Sequence, residues 1–433
     1  MPEIKGFRAW RFAKEKIKDF SRVVAPPYDV ISKKEQAALL RRSPYNVVRL
    51  ILGKEKSGDN AAHNRYTRAR EIFKSWVSSG VLRRDPSPAV YVLVQDYGEQ
   101  GAPPSQRKTR VGFIAAMRLD ERAVRRHEDT LEAPKKDRWA LIKEVRANLS
   151  PIFGLFEDKK GGVQKILKRA IAQVPPAVDV TLDGIRHRLF VEKRPGILRA
   201  LSTAMRSKPL FIADGHHRFD VACQFRDWMN SRRAGGRPAG ETPAGWNYVM
   251  TYFSDYLHNP FSIYPTHRLI RARAGRPLRA LARRGVLKKA AALGEVLSAL
   301  SKSRAADSAS GYRFGIYTRK DGFFIFTLHE KFAPSQKAHI AGRLDVSALH
   351  EAVIAPCFGI HSIEKSDSID FTRQADHAVA EVNKGKFHLA FFLRPTSLRE
   401  MVEVSKRGLK MPQKSTYFYP KLLSGLAFRT LYD

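Results

Sequence analysis

The run Pro209-Leu210-Phe211-Ile212-Ala213-Asp214-Gly215-His216-His217-Arg218-Phe219 passes from an apolar segment directly into a dense polar, titratable one. Leu210 to Ala213 reads as a buried strand, and Phe219, Val221, Ala222, Phe225 and Trp228 recur on one helical face. Asp214, Gly215 and His216 are therefore expected at a strand-to-helix turn. At such a turn the first helical N–H groups and their partial positive charge attract anions, and a glycine lets a phosphate approach the backbone. Arg218 adds a planar fork of donors, His216 and His217 can move protons, and Asp214 can hold a cation or act as a base. Taken singly, Asp214 also reads as a helix cap and one histidine as a satisfied core residue. The five together favour a site of chemistry.

A chain of 433 residues exceeds what one compact core usually supports, so two lobes are expected, at 1–235 and 244–433. Cys223 and Cys357 cannot build a disulfide framework and no Cys-x-x-Cys pair is present, which favours a reducing setting. The N-terminal residues have no apolar signal core, and no apolar stretch approaches the roughly 18 residues a membrane span needs. A soluble cytoplasmic protein is the expectation. The formal charge of +36 promotes attraction to phosphate groups without choosing among nucleic acid, nucleotide, pyrophosphate or a small phosphorylated metabolite. Much of that excess lies in 232–237 and 271–289, read as solvated loops and helix faces.

Strand patterns at 46–52, 89–97 and 110–119 and helical patterns at 33–41, 61–79, 138–149 and 163–174 predict a mixed α/β organisation. Asp183-Gly184 and Lys320-Asp321-Gly322 each sit between strand-like runs and predict hairpins. The stretch 231–244, rich in Arg, Gly and Pro, is the expected loop or lobe boundary.

Four further constellations carry phosphate-compatible chemistry. Pro26 and Pro27 give a rigid approach to Tyr28 and Asp29. His127, Glu128 and Thr130 precede Lys135 and Arg138, a combination that can bind an anion through its cations and Mg²⁺ through Glu128 or Glu132. Thr266, His267 and Arg268 place a hydroxyl, an imidazole and a guanidinium side by side. Lys414, Ser415 and Thr416, with Lys421, lie between prolines and next to Tyr417, Phe418 and Tyr419. The Gly-x-x-x-x-Gly of a P-loop is absent, so any phosphate here would be held by side chains. Each of these segments also reads as an ordinary basic turn or salt-bridged loop.

Ala-Pro-Pro-Tyr-Asp-Val at 25–30, His-Glu-Asp-Thr at 127–130 with Pro-Lys-Lys-Asp-Arg at 134–138, Ala-Asp-Gly-His-His-Arg at 213–218, Pro-Thr-His-Arg at 265–268 and the segment 412–421 occur in this order. Together they resemble the bacterial and archaeal family labelled domain of unknown function 1015, over almost the whole chain. The Gly215-x-x-Arg218 step is similar to the phosphate-binding turn of the ParB/sulfiredoxin-like fold, which includes free-serine kinases. The resemblance implies a ParB-like core with large insertions and a second, C-terminal α/β lobe contributing to the same site. It also implies phosphorylation of a small hydroxyl acceptor, free L-serine, from pyrophosphate or a nucleotide such as ADP or ATP, with Mg²⁺. Asp214 would be the metal or proton-handling carboxylate, His216 and His217 phosphate or proton partners, and Arg218 a phosphate clamp. About 180 residues between Asp29 and Asp214 depart from the small serine kinases, which leaves the general base open between Asp214 and other carboxylates such as Glu128.

Two competing readings remain at this point: a ParB-like nucleic-acid-binding or regulatory protein, and a phosphatase acting on a small phosphorylated metabolite. Weak, sequence-blind nucleic-acid binding is compatible with the charge, and the oligomeric state is not encoded in any of these motifs.

Overall fold

The computed structural model describes residues 2–99, 104–233, 244–271, 277–302, 311–335, 338–362 and 366–432. Most of the expected boundary loop at 231–244, and 272–276 of the basic stretch, lie outside the described residues. The chain forms two compact units. The first is Met1–Arg125, Thr130–Ser262 and Pro420–Asp433; the second is Arg126–Asp129 and Ile263–Tyr419. The first unit thus takes back both the segment after the 231–244 stretch and the last fourteen residues, which two consecutive blocks would not express.

Seven strands build most of the first unit's sheet: β1 (Val90–Tyr97), β2 (Lys108–Arg118), β3 (Ile152–Phe156), β4 (Val178–Leu182), β5 (Ile185–Glu192), β6 (Leu210–Asp214) and β7 (Tyr248–Asp255). With Val124–Arg125 beside β6 and Ile4–Lys5 beside β2, the order is Val124–Arg125, β6, β3, β7, β2, β1, β5, β4, in a nine-stranded sheet. Pairing is mixed: β7 runs parallel to β3, while β6 with β3 and β1 with β2 are antiparallel. Every residue of β3 and β7 is buried, as expected for strands covered on both faces. Asp183 (φ 51°) and Gly184 (φ 76°) take the two left-handed positions of the β4–β5 turn, the demand a two-residue hairpin makes.

Helices α1 (Lys33–Arg42), α2 (Arg65–Ser78), α3 (Glu132–Val145), α4 (Gly162–Ile171), α5 (Pro195–Met205) and α6 (His216–Ser231) complete the unit. One sheet face packs Ile212, Ile152, Phe113 and Phe253 against Val163 and Leu167 of α4, Leu201 and Met205 of α5, and Phe219 of α6. A second core joins α2 and α3 to the chain ends, with Phe73, Trp76, Leu141 and Val145 around Phe12 and Phe428.

The second unit is built on an antiparallel six-stranded sheet of β8 (His267–Ile270), β9 (Gly285–Ala290), β10 (Arg313–Thr318), β11 (Gly322–Leu328), β12 (Ile369–Thr372) and β13 (Leu389–Phe392), ordered β9-β11-β10-β13-β8-β12. Val296 and Leu300 from the helix Leu293–Lys302, and Ala378 and Val382 from Ala375–Asn383, cover one face.

The mixed α/β class is the one the sequence predicts, and both hairpins form. Three local expectations are corrected. Residues 46–52, read as a strand, form the helical turn Val48–Ile51. There the Asn46 amide donates to the carbonyls of Arg22 (2.8 Å) and Val24 (3.2 Å), while its oxygen accepts from Val48 N (3.0 Å), a local turn that outcompetes the strand. The helix expected at 138–149 begins at Glu132 and ends at Val145, because Arg146 turns left-handed (φ 53°) and Ala147–Asn148 pairs with Arg429–Thr430. Lys288 and Lys289 lie on the sheet-edge strand β9 and not on a solvated helix, a common use of lysine to blunt an edge.

Candidate active site

Asp214 owes its direction to an irregularity in β6. Ile212 pairs with Gly154 and Asp214 pairs with Phe153, so the register shifts by one residue between them. Ile212 and Asp214 would otherwise share a face; the shift leaves Ile212 in the α4/α5 core and turns Asp214 to the opposite side. Gly215 then takes φ 95°, which an L side chain resists, and becomes the N-cap of α6 without a capping side chain. A Cβ on Gly215 would stand 2.9 Å from Arg218 Nη2, so the glycine is also what lets the guanidinium fold back over the turn.

Two cations meet on Asp214. Arg218 Nη2 donates to Oδ2 at 2.6 Å, and Lys421 Nζ donates to Oδ1. All three side chains are 11–15% exposed, so the cluster is partly desolvated and its interactions are stronger than those of a surface pair. Arg218 Nη1 donates to the Pro151 carbonyl, which fixes the fork. One carboxylate between two cations leaves a net positive charge at the start of a helix.

Arg218 lines a cavity of about 60 Å³ together with Tyr28, Arg138, Asn148 and Ser150, closed by apolar side chains that include Ile51, Leu149 and Val221. The Arg138 guanidinium stacks 3.8 Å from the Tyr28 ring centre, donates from Nη1 to the Ile51 carbonyl (2.9 Å) and from Nε to Asp137 (2.6 Å). Burial pushes the Tyr28 hydroxyl up to about 12, so it stays a neutral donor at neutral pH. The helix that presents Arg138 is pinned at its start from α6: His217 Nε2 accepts from Leu131 N (2.9 Å) and Asp220 accepts from the Thr130 hydroxyl (2.6 Å). With Nε2 acting as acceptor, a neutral His217 carries its proton on Nδ1. His216 is buried, Asp29 is exposed, and Lys135 pairs with the exposed Glu132 at 2.5 Å.

The second unit gathers its own polar group. His127 Nε2 lies 3.1 Å from the Thr416 hydroxyl, and Glu128 forms an isolated bridge with Met411. Arg268, 3% exposed, donates to the Thr266 carbonyl; burial lowers it to about 10 against the opposing pull of Glu128. Burial and the neighbouring Arg268 hold His267 at about 4, so it is neutral near pH 7. Lys414 is exposed with φ 58°, and Ser415 is buried with its hydroxyl on the Pro412 carbonyl.

Asp214, Gly215, Arg218 and Lys421 are thus one cluster in the first unit, bordered by Tyr28 and Arg138. His127, Glu128, Thr266, Arg268 and Thr416 form a group in the second. Two cavity-lining residues escaped the reading of motifs, Asn148 and Ser150, both in ordinary-looking sequence. As a Mg²⁺ ligand Asp214 fits poorly, since both of its oxygens already face cations; among the described residues no group of three or more His, Cys, Asp or Glu is arranged to hold a metal.

A family model described as protein of unknown function (DUF1015) matches residues 4–347. No curated protein matches the chain. Solved structures similar to it include a free serine kinase in complex with AMP, at 12% identity and a TM-score of 0.37, covering 71% of this chain and 86% of that one. A conserved hypothetical protein from Pyrococcus furiosus gives 12% and 0.37, with 72% and 92% covered. SbnI from Staphylococcus aureus gives 11% and 0.35, with 72% and 85% covered.

Proposed function

The chain belongs to the family described as protein of unknown function (DUF1015), and we propose that it acts as a phosphotransferase on a small hydroxyl acceptor, free L-serine being the first to test. Pyrophosphate or an adenine nucleotide is the donor. The observation that carries this reading is the pair of cations on Asp214 at the uncapped start of α6. Phosphoryl transfer asks a protein mainly for positioning and for neutralisation of charge on the phosphate oxygens, and this cluster offers both. The adjoining cavity of about 60 Å³ suits an acceptor of a few heavy atoms.

In the reaction we infer, the donor's phosphate draws Arg218 and Lys421 from the Asp214 carboxylate onto its own oxygens. Asp214, relieved of its cations, accepts the acceptor's hydroxyl proton. The hydroxyl oxygen forms the new O–P bond as the bond to the leaving phosphate breaks, and that phosphate departs with the electron pair. His217, with Nδ1–H as donor, steadies the transferring group. His127, Glu128, Thr266, Arg268, Lys414 and Thr416 act in this reading as substrate-binding residues.

Pure protein is incubated with L-serine and, in turn, pyrophosphate, ADP and ATP, with magnesium in the buffer, and followed by ³¹P NMR. A phosphoserine resonance dependent on one donor is the expected result. Absence of any phosphorylated acceptor with all three donors, together with no measurable pyrophosphate binding by calorimetry, overturns the reading.

A further inference from the structure

Arg110 is a cation sealed inside the first unit. It sits on β2, is fully buried, and its Nη1 has no hydrogen-bond partner among the described residues. Its hydrogen-bond acceptors are neutral: Nε and Nη2 donate to Gln95 Oε1 at 3.1 and 2.5 Å, and Nη2 also donates to the Pro420 carbonyl at 2.6 Å. Three rings surround the guanidinium, with centres 4.8 Å (Phe153), 5.7 Å (Phe261) and 5.9 Å (Tyr252) away. Those rings offset part of the desolvation, but a buried cation whose acceptors are all neutral is expensive to keep. For folding alone, an apolar residue of similar volume would serve as well or better.

The reason to keep it lies at residue 421. Gln95, which accepts from Arg110, donates its own amide to the Lys421 carbonyl (3.3 Å). The two peptide carbonyls flanking the Lys421 Cα are therefore both held, one by Arg110 and one by Gln95, and from that fixed Cα the ammonium reaches Asp214. Arg110 pairs with Gln95, Asp214 with Phe153 and Phe153 with Tyr252, so the guanidinium meets rings carried by the two strands that follow Asp214's own in the sheet. The neighbouring His187 stays neutral, pushed down to about 3 by burial and by Arg110, so it adds no second charge.

We propose that Arg110 is a positioning residue: by holding the Pro420 carbonyl it fixes the Lys421 ammonium on Asp214, and so sets the affinity of the site for a phosphate anion it does not touch. The anion part rests on the reading in the preceding subsection; the positioning part does not.

Two measurements on Arg110→Met, read alongside Lys421→Met and the double variant, separate these parts. The first is the rate at which an amine-acylating reagent labels Lys421, followed by peptide mass spectrometry. The second is the pyrophosphate Kd by calorimetry. Arg110→Met is expected to raise Lys421 labelling and to weaken pyrophosphate binding, each roughly tenfold, the size of a coupling between contacting residues. In the Lys421→Met background, Arg110→Met is expected to cause no further loss of binding. Should Arg110→Met fail to fold, Arg110→Lys is read the same way, since one ammonium cannot serve Gln95 and Pro420 together in the guanidinium's geometry. Unchanged Lys421 labelling in a folded variant, or additive losses of binding, overturns the proposal. Wild-type protein that binds no pyrophosphate overturns the anion reading, and the labelling rate still decides whether Arg110 positions Lys421.

Discussion

At Asp214 a single carboxylate balances two cations, which makes its substitution informative in two directions. Asp214→Asn removes the charge that compensates Arg218 and Lys421 while both remain mostly buried. Breaking a buried pair on one side costs about 3 kcal/mol or more, so a clear fall in melting temperature is expected. The same change leaves two uncompensated cations, so pyrophosphate is expected to bind more tightly even as turnover falls by about 10²-fold or more with the loss of the proton acceptor. Tighter anion binding with lost turnover is a combination a helix cap would not produce, and calorimetry beside a kinetic assay checks it. Gly215 makes a second test. Its φ of 95°, and the 2.9 Å that would separate an added Cβ from Arg218 Nη2, mean that Gly215→Ala strains the backbone by about 1–2 kcal/mol and displaces the guanidinium. Weaker pyrophosphate binding is expected, opposite in sign to the Asp214→Asn effect.

Among the elements, α6 does more than follow the Gly215 turn. His217 and Asp220, three residues apart on one face, hold Leu131 and Thr130 at the start of α3, and α3 in turn delivers Arg138 to the cavity. Leu131 gives α3 no side-chain cap, so the contact from His217 takes that place. His217→Ala is expected to open the first turn of α3 locally, with amide hydrogen exchange at Leu131 and Lys135 speeding up by roughly tenfold or more while core strands such as β3 and β7 keep their protection. Equal protection of Leu131 and Lys135 in the variant and the wild type would show that Asp220 alone pins the helix. The capacity to carry a proton is a property of the residue type; the clamp on Leu131 was not legible, because Leu131 lies 86 residues away in sequence.

Across the whole molecule, two buried histidines, one in each unit, contribute to acid sensitivity. Burial with Arg110 holds His187 at about 3, and burial with Arg268 holds His267 at about 4. Both folded values lie below the ordinary histidine value, so between about pH 6.5 and 4 the unfolded chain binds more protons than the folded one. Their contribution to stability therefore rises with pH through that window and is lost as pH falls through it, at up to about 1.4 kcal/mol per pH unit for each histidine. Urea unfolding from pH 7 to 4.5 measures that slope, and His187→Gln is expected to make it shallower; an unchanged slope would count against His187 as a source. The sequence by itself determined what depends on near neighbours: the strand that ends at Asp214, the glycine turn, the helix whose apolar face follows Phe219, both hairpins and the mixed α/β class. It also marked Lys421 and Arg138 as phosphate-compatible. What only the tertiary structure decided depends on distant partners. The register shift that turns Asp214 out of the core requires Phe153 and Gly154 beside it. The second cation on Asp214 arrives from 207 residues further along the chain. Arg110 is distinguished from the arginines around it in the sequence only by burial and by the carbonyl of Pro420, 310 residues away. Local periodicity encodes which element forms, whereas the partner of a buried charge is set by which strands come to lie side by side, and no spacing along the chain records that.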